Sequence, residues 1–262
     1  MRDCAVTCKI CGEQSSAIFR RIVLSKYDIQ YYQCSSCGFI QTEEPYWLDE
    51  AYENSLNIED TGIVSRNLLQ AKRSAIILLS FFKRNGCFVD FGGGTGLFVR
   101  LMRDYGFDFY WHDPYTKNLF ARGFEFDHRK QPRVEALTSF ECFEHFPFPA
   151  KELETMLSYS RSLLFSTSIF SSGMPDPQSW EYYAFGHGQH ISLYSLASLQ
   201  YIAKKNQLHL CTNGKSFHML TPKPFNNAAF NILLKASQAA APAAAGIFMN
   251  SKTEMDSKTA GR

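Results

Sequence analysis

No apolar run in this sequence is long enough to span a bilayer. The longest strongly apolar stretch, Ala75 to Phe82, falls far short of the roughly 20 residues a spanning helix needs. The first residues, MRDCAVTCKICGEQSS, hold no apolar core of the kind a cleavable signal peptide requires. There is no internal repeat. No Lys-Ser/Thr pair follows the glycine cluster at residues 92–96, which excludes an ATP-binding P-loop there, and there is no lysine-arginine run to track a phosphate backbone. Cysteine is scarce for a disulfide scaffold: 8 in 262 residues, well below the roughly 8–10% of such chains. These absences predict a cytoplasmic chain without a membrane partner, whose thiols stay reduced. What is present, 45% hydrophobic and 20% charged residues, excludes a disordered or collagen-like polymer. The length fits one large domain or two smaller ones.

Charge is unevenly placed. Residues 1–60 carry 5 basic and 10 acidic groups, and the remainder 22 basic and 15 acidic ones. A module that grips nucleic acid neutralises phosphates and should be basic. The acidic start argues against a nucleic-acid partner.

Five of the cysteines fall in the first 37 residues. Cys8 and Cys11 form one CxxC pair, Cys34 and Cys37 a second, each followed by glycine, at Gly12 and Gly38. A CxxC turn sets two sulfurs on one side of a tight loop, and two such turns supply the tetrahedral thiolate set that zinc prefers. Four protein ligands leave no open position, so this zinc is expected to be structural. It would also fold a segment too short to hold a core of its own. Free thiols or a labile redox pair are the alternatives. Cys4 reads as an exposed terminal thiol.

Beyond the cysteines the chain reads as short strands (Ser16–Val23, Ile29–Gln33), then as helix from Tyr46 to Arg84. An alternating series follows: strand Cys87–Phe91, helix Leu97–Tyr105, strand Phe107–His112, strand Arg133–Glu141, helix Ala150–Ser160, strand Leu163–Phe170, helix Leu193–Asn206, and strands Leu208–Asn213 and Ser216–Leu220 about an Asn-Gly turn. Alternation of this kind predicts an α/β fold with a doubly wound, mostly parallel sheet. The last two strands should form an antiparallel edge hairpin. Residues 1–45 read as a small zinc-ribbon-like module, 46–85 as a helical linker, 86–221 as the α/β domain, and 222–262 as an Ala-rich surface helix with a frayed polar tail.

The strand Cys87–Phe91 runs into Gly92-Gly93-Gly94-Thr95-Gly96 and then a helix. Glycines there let backbone approach a ligand and aim helix N-terminal amides at it. The spacing is GxGxG rather than the GxGxxG of dinucleotide binders. Asp113 ends the next strand, where an acid can accept both hydroxyls of a ribose; the other reading is a solvated loop acid, and the glycine loop favours the ribose.

Val89-Asp90-Phe91-Gly92-Gly93-Gly94-Thr95-Gly96 resembles motif I of the class I S-adenosylmethionine-dependent methyltransferases. Asp113 and the segment Phe140-Glu141-Cys142-Phe143-Glu144-His145-Phe146 resemble the same family, in its small-molecule branch, over about residues 60–220. The two CxxC pairs with Gly38-Phe39-Ile40-Gln41 and Tyr46–Tyr52 resemble the zinc-bearing entry of a subset that includes sugar C-methyltransferases. The resemblance implies a Rossmann-like sheet and S-adenosylmethionine as cofactor. It implies that Asp90 holds the methionine amino group, and that Gly92, Gly94 and Gly96 form the floor beneath methionine and ribose. Asp113 would bind the ribose, Tyr115 pack near adenine, and Phe140 and Glu141 line the cofactor. Glu125 and Asp127 are the candidates for an acid that contacts adenine. Arg66 would pair with the methionine carboxylate or be a solvated helix charge.

The acceptor's proton needs a base if it leaves an O–H or an acidic C–H. His187, His190 and Tyr183 lie together in the segment Trp180–His190, and His145 lies at a strand end. Histidine is the side chain best tuned to accept a proton near neutrality, although a histidine there could equally cap a helix or bridge backbone groups. The expected reaction is methyl transfer to a small polar acceptor such as a sugar or nucleotide-sugar, at carbon or oxygen. A zinc-ribbon RNA methyltransferase and a non-enzymatic cofactor-binding partner protein are the alternatives.

Overall fold

The computed structural model describes residues 6–53, 60–171 and 173–260; Cys4 lies outside them. The described strands form two six-stranded sheets. The main sheet is built from β5 (Cys87–Phe91), β6 (Asp108–His112), β7 (Ala136–Ser139), β8 (Leu163–Ser166), β11 (His209–Thr212) and β12 (Phe217–Thr221). Its order is β11-β12-β8-β7-β5-β6. The β6-β5-β7-β8 core is parallel, and the β11–β12 hairpin closes one edge antiparallel, as the alternation predicts.

Helices cover both faces because successive strand residues point to opposite sides. Phe88 joins a cluster with α2 (Ile63–Phe81), α3 (Leu97–Asp104) and α6 (Asn227–Phe248), whereas Val89 and Phe91 face α4 (Pro149–Tyr159) and α5 (Leu196–Lys205). β5 is therefore buried on both sides, and the loop at its carboxyl end is held rigidly between two helix layers. Among the described residues no helix is long and apolar enough to cross a membrane.

The second sheet was not expected. It comprises β1 (Val6–Thr7), the hairpin β2 (Gln14–Val23) and β3 (Tyr27–Cys34), β4 (Ile40–Thr42), β10 (Ser192–Ser195) and β9 (Ile169–Phe170), in the order β1-β2-β3-β4-β10-β9. The cysteine-bearing ribbon thus shares a sheet with the segment that follows β8. Two differences from the sequence reading cause this. The expected strand Leu163–Phe170 breaks at Thr167–Ser168, and its last two residues pair in the second sheet. The helix expected from Leu193 begins at Leu196, because the Ser195 hydroxyl accepts the Ser198 amide and caps it. The residues before the cap are free to pair with β4 and β9.

The C-terminal segment, expected to fray, is helical through Ala260. Helix α7 (Thr253–Ala260) is anchored through Asp256, which accepts two hydrogen bonds from the buried Arg103 guanidinium at 2.7 and 2.8 Å. An isolated buried arginine would be costly, and pairing with Asp256 fixes the tail against α3.

Candidate functional site

A cavity of about 530 Å³ opens at the carboxyl end of β5 and β7, within the range of small-ligand pockets. Its first wall is the glycine loop. Gly92, Gly94 and Gly96 all adopt φ between 51° and 83°, which side chains with a Cβ resist. A Cβ on Gly92 would stand 2.5 Å from the Cys142 sulfur, while one on Gly94 would meet nothing within 4 Å. Gly92 is therefore fixed by packing behind the loop, and Gly94 by its backbone conformation over open space.

Asp113 organises this loop from below. One carboxylate oxygen accepts the Gly94 amide at 2.8 Å; the other accepts the amides of Tyr115 and Thr116 at 2.8 and 2.9 Å. Asp90, only 4% exposed, accepts the Thr138 hydroxyl at 2.6 Å. Burial pushes its pKa up to about 7, against the pull of the Thr138 hydrogen bond. An ammonium group beside it would reverse that shift.

Phe140 and Glu141 form the next part of the wall. Phe140 stacks on Phe217 and meets Phe98 edge-on. Glu141 turns the chain at φ 54° and is tied to Ser166 through both its amide and its carboxylate. Arg66 reaches in from α2, paired with Asp60 at 2.6 Å and near Glu141 at 3.8 Å. Among the described lining residues it is the one lysine or arginine, against Asp60, Asp90, Glu141 and Glu144. A cavity of that balance suits a cationic ligand that carries one carboxylate.

The far wall carries Glu144, His145, Tyr182, His187, Gln189 and His190. Glu144 is 1% exposed, and its Oε2 has no hydrogen-bond partner. Burial, then the nearby Glu141 charge, pushes its pKa up to about 8, against the pull of the Tyr182 and Thr167 hydroxyls on the carboxyl group. Nδ1 of His145 faces the Gln189 carbonyl at 3.1 Å, and Nδ1 of His190 faces the Tyr182 carbonyl at 2.6 Å. A carbonyl only accepts, so both Nδ1 atoms carry the proton and both Nε2 atoms keep a lone pair. Burial lowers the two pKa values to about 4 and about 3, which keeps both rings neutral at pH 7.

The structure thus gathers Asp90, Gly92, Gly94, Phe140, Glu141, Arg66, His145, His187 and His190 around one cavity. Other expected residues stand off its wall, Asp113 among them, behind the glycine loop. Gly96 serves as the N-cap of α3. Tyr115 is 91% exposed to solvent. Glu125 is held at the sheet edge by the Asn118 side chain and the Gly123 amide; the Asp127 carboxylate accepts the Arg129 amide. Tyr183 is buried among Phe19, Tyr31 and Phe185, with its hydroxyl on the Pro175 carbonyl. Its neighbour Tyr182 is the tyrosine that lines the cavity, with its hydroxyl 3.1 Å from Thr167 Oγ1. Sequence reasoning also passed over Glu144 as a site residue. The available signal was one acid set among the aromatics of Phe140–Phe146.

The ribbon holds the histidine segment in place. β4 pairs with β10, the Trp47 indole donates to the Gly188 carbonyl at 2.8 Å, and the Gln189 side-chain Nε2 donates to the Ala51 carbonyl at 2.7 Å. Ser195 Oγ donates to the Cys37 carbonyl at 2.6 Å. The four sulfurs of Cys8, Cys11, Cys34 and Cys37 lie within 4.8 Å of one another, with Cys8–Cys37 at 3.6 Å and Cys11–Cys34 at 3.4 Å. A tetrahedral zinc with ~2.3 Å bonds sets its sulfurs ~3.8 Å apart. The observed separations are close to that and far beyond a disulfide bond. Amides of Ile10 and Cys37 point at the Cys8 and Cys34 sulfurs, both at 3.4 Å, and would stabilise thiolate charge. The donor set fits a closed metal centre.

Residues 65–212 match the profile of the family described as "Methyltransferase domain". No curated protein matches the chain. Among solved structures, CalO1, a methyltransferase in calicheamicin biosynthesis with SAH bound, is 16% identical over 68% of this chain and 60% of its own, with a TM-score of 0.43. Magnesium protoporphyrin IX methyltransferase (ChlM) from Synechocystis PCC 6803 with bound SAH is 14% identical over 66% of this chain and 90% of its own, with a TM-score of 0.41. An O-methyltransferase family protein from Burkholderia thailandensis is 10% identical over 70% of this chain and 65% of its own, with a TM-score of 0.44. The family profile, which spans more than half of the chain, carries the assignment.

Proposed function

On the premise that the chain belongs to the methyltransferase-domain family, and so is a methyltransferase, we propose that it transfers the methyl group of S-adenosylmethionine to a small polar acceptor. A sugar or nucleotide-sugar, methylated at carbon or oxygen, is the acceptor class favoured. The observation that carries this reading is the single cavity that joins the glycine loop and Asp90 to the wall of Glu144 and three histidines. One end suits a cationic amino-acid sulfonium, and the other suits a hydroxyl or acidic C–H.

S-Adenosylmethionine supplies a methyl group on a sulfonium that is already a good leaving group. Asp90 accepts the ammonium, Arg66 faces the carboxylate, and the Gly92–Thr95 backbone forms the floor. Asp113 has three of its roughly four lone-pair sites engaged by amides, and the remaining one is offered to a ribose hydroxyl. Phe140 and Glu141 flank the transfer path. Alignment of acceptor and methyl group is worth several kcal/mol. The acceptor's proton goes to the wall that carries His145, His187 and His190. The ribbon's four cysteines hold one zinc ion, which acts structurally.

Calorimetric titration with S-adenosylhomocysteine tests the reading. The wild type should bind it, and Asp113→Ala should bind at least tenfold more weakly. No heat at millimolar ligand would overturn the assignment.

A further inference from the structure

Glu144 and His145 sit on the short turn after β7, and His190 sits just before β10. The two segments are locked together, because the Ile191 amide donates to the Glu144 carbonyl at 2.9 Å. One carboxylate oxygen of Glu144 and one ring nitrogen of each histidine all lie within 4.8 Å of one another. The imidazole rings of His145 and His190 meet edge to face at 5.0 Å. Each Nδ1 is fixed to a backbone carbonyl. That is the arrangement by which metal-binding histidines have their tautomer set, with Nε2 left to ligate. The Glu144 oxygen without a hydrogen-bond partner is the second, independent sign: a buried acceptor without a donor is costly, and a cation would satisfy it.

We propose that Glu144, His145 and His190 bind a divalent transition metal through one carboxylate and two imidazoles, with its remaining coordination positions facing the cavity. Imidazole with carboxylate favours zinc, iron(II), cobalt or manganese over the oxygen-only sites of calcium and magnesium. This centre differs from the ribbon's: four thiolates close one site, and three ligands leave the other open. An open metal takes an oxygen donor and lowers the pKa of a bound hydroxyl. Its ligand in the cavity would therefore be an acceptor oxygen. That role rests on the methyl-transfer reading; the binding of metal does not. With metal bound, His145 and His190 serve as ligands, and His187 is the histidine left to take a proton.

The test is cobalt(II) titration of tag-free, chelator-treated full-length protein, read by absorption and by native mass spectrometry. The wild type should take two equivalents. One gives the intense sulfur-to-metal charge-transfer bands of a thiolate site, the other only the weak d–d bands of a nitrogen–oxygen site. Glu144→Gln and His145→Gln should each weaken the second equivalent about a hundredfold and leave the thiolate bands unchanged. A single thiolate-bound equivalent in the wild type would overturn the proposal, as would unchanged second-equivalent affinity in both variants. The wild-type stoichiometry decides even if a variant fails to fold. S-Adenosylhomocysteine binding, measured on the same samples, reports separately on the methyl-transfer reading.

Discussion

Replacing Trp47 with phenylalanine should loosen the histidine segment without emptying the cofactor end of the cavity. Trp47 is 1% exposed, and its indole N–H is the donor to the Gly188 carbonyl. The change strands that buried carbonyl, at a cost of about 1–3 kcal/mol. The smaller ring also leaves a void worth about 1 kcal/mol, at ~24 cal/mol per Å³ of unfilled volume. Together these make local opening easier by about 2–4 kcal/mol, or roughly 30-fold or more in an opening constant. Hydrogen exchange should show that loss of protection at amides 184–191. Calorimetry should show S-adenosylhomocysteine affinity within about twofold of wild type, because Asp90, the glycine loop and Asp113 belong to the other sheet. The reasoning fails if protection of the segment is unchanged. It also fails if cofactor affinity falls as far as protection does, which would place the ribbon under the cofactor rather than under the acceptor wall.

Three further outcomes are expected. Asp256→Ala leaves Arg103 with Asp108 and the Phe109 carbonyl only; loss of one partner of a buried pair costs about 3 kcal/mol, the low end of the known range, and a melting point within about 2 °C of wild type would refute the anchoring role of α7. Cys34→Ser should weaken the thiolate charge-transfer bands of bound cobalt and lower protection in β4 and β10 together, whereas loss confined to β1–β3 would show that the two segments are uncoupled. His218 is fully buried and its pKa is lowered to about 4 by burial, so the unfolded chain binds a proton there at a pH where the folded one does not. Its contribution is complete above about pH 6.5 and is lost as the pH falls toward 4, about 3 kcal/mol in all; His218→Asn should flatten the acid side of a urea-midpoint profile, and an unchanged slope would refute the assignment.

The α/β frame was legible because each parallel strand carries its own local signature. Cys87–Phe91 is a short apolar run ended by glycines, and its observed bounds match the reading. The Asn213-Gly214 turn likewise announces the edge hairpin. The CxxC spacing brings four sulfurs together because each pair closes a local turn, and only one hairpin separates the pairs. The positions of Asp90 and the glycine loop follow from sequence for the same reason: strand, turn and helix are contiguous.

Contacts between distant segments were not legible. Residues Ser192–Ser195 have the composition of a helix start, and only pairing with β4 and β9 makes them a strand. Tyr182 and Tyr183 are alike in sequence, but a one-residue step on a tight turn sends one to the cavity and the other into an apolar cluster. Glu144 acquires its significance from burial, which depends on everything packed around it. The sequence by itself determined the strand order's raw material, the thiol set and the cofactor loop, since these are local in the chain. Only the tertiary structure decided that the ribbon and the histidine segment form one sheet, and that Glu144, His145 and His190 converge, since those juxtapositions join residues that the chain alone keeps far apart.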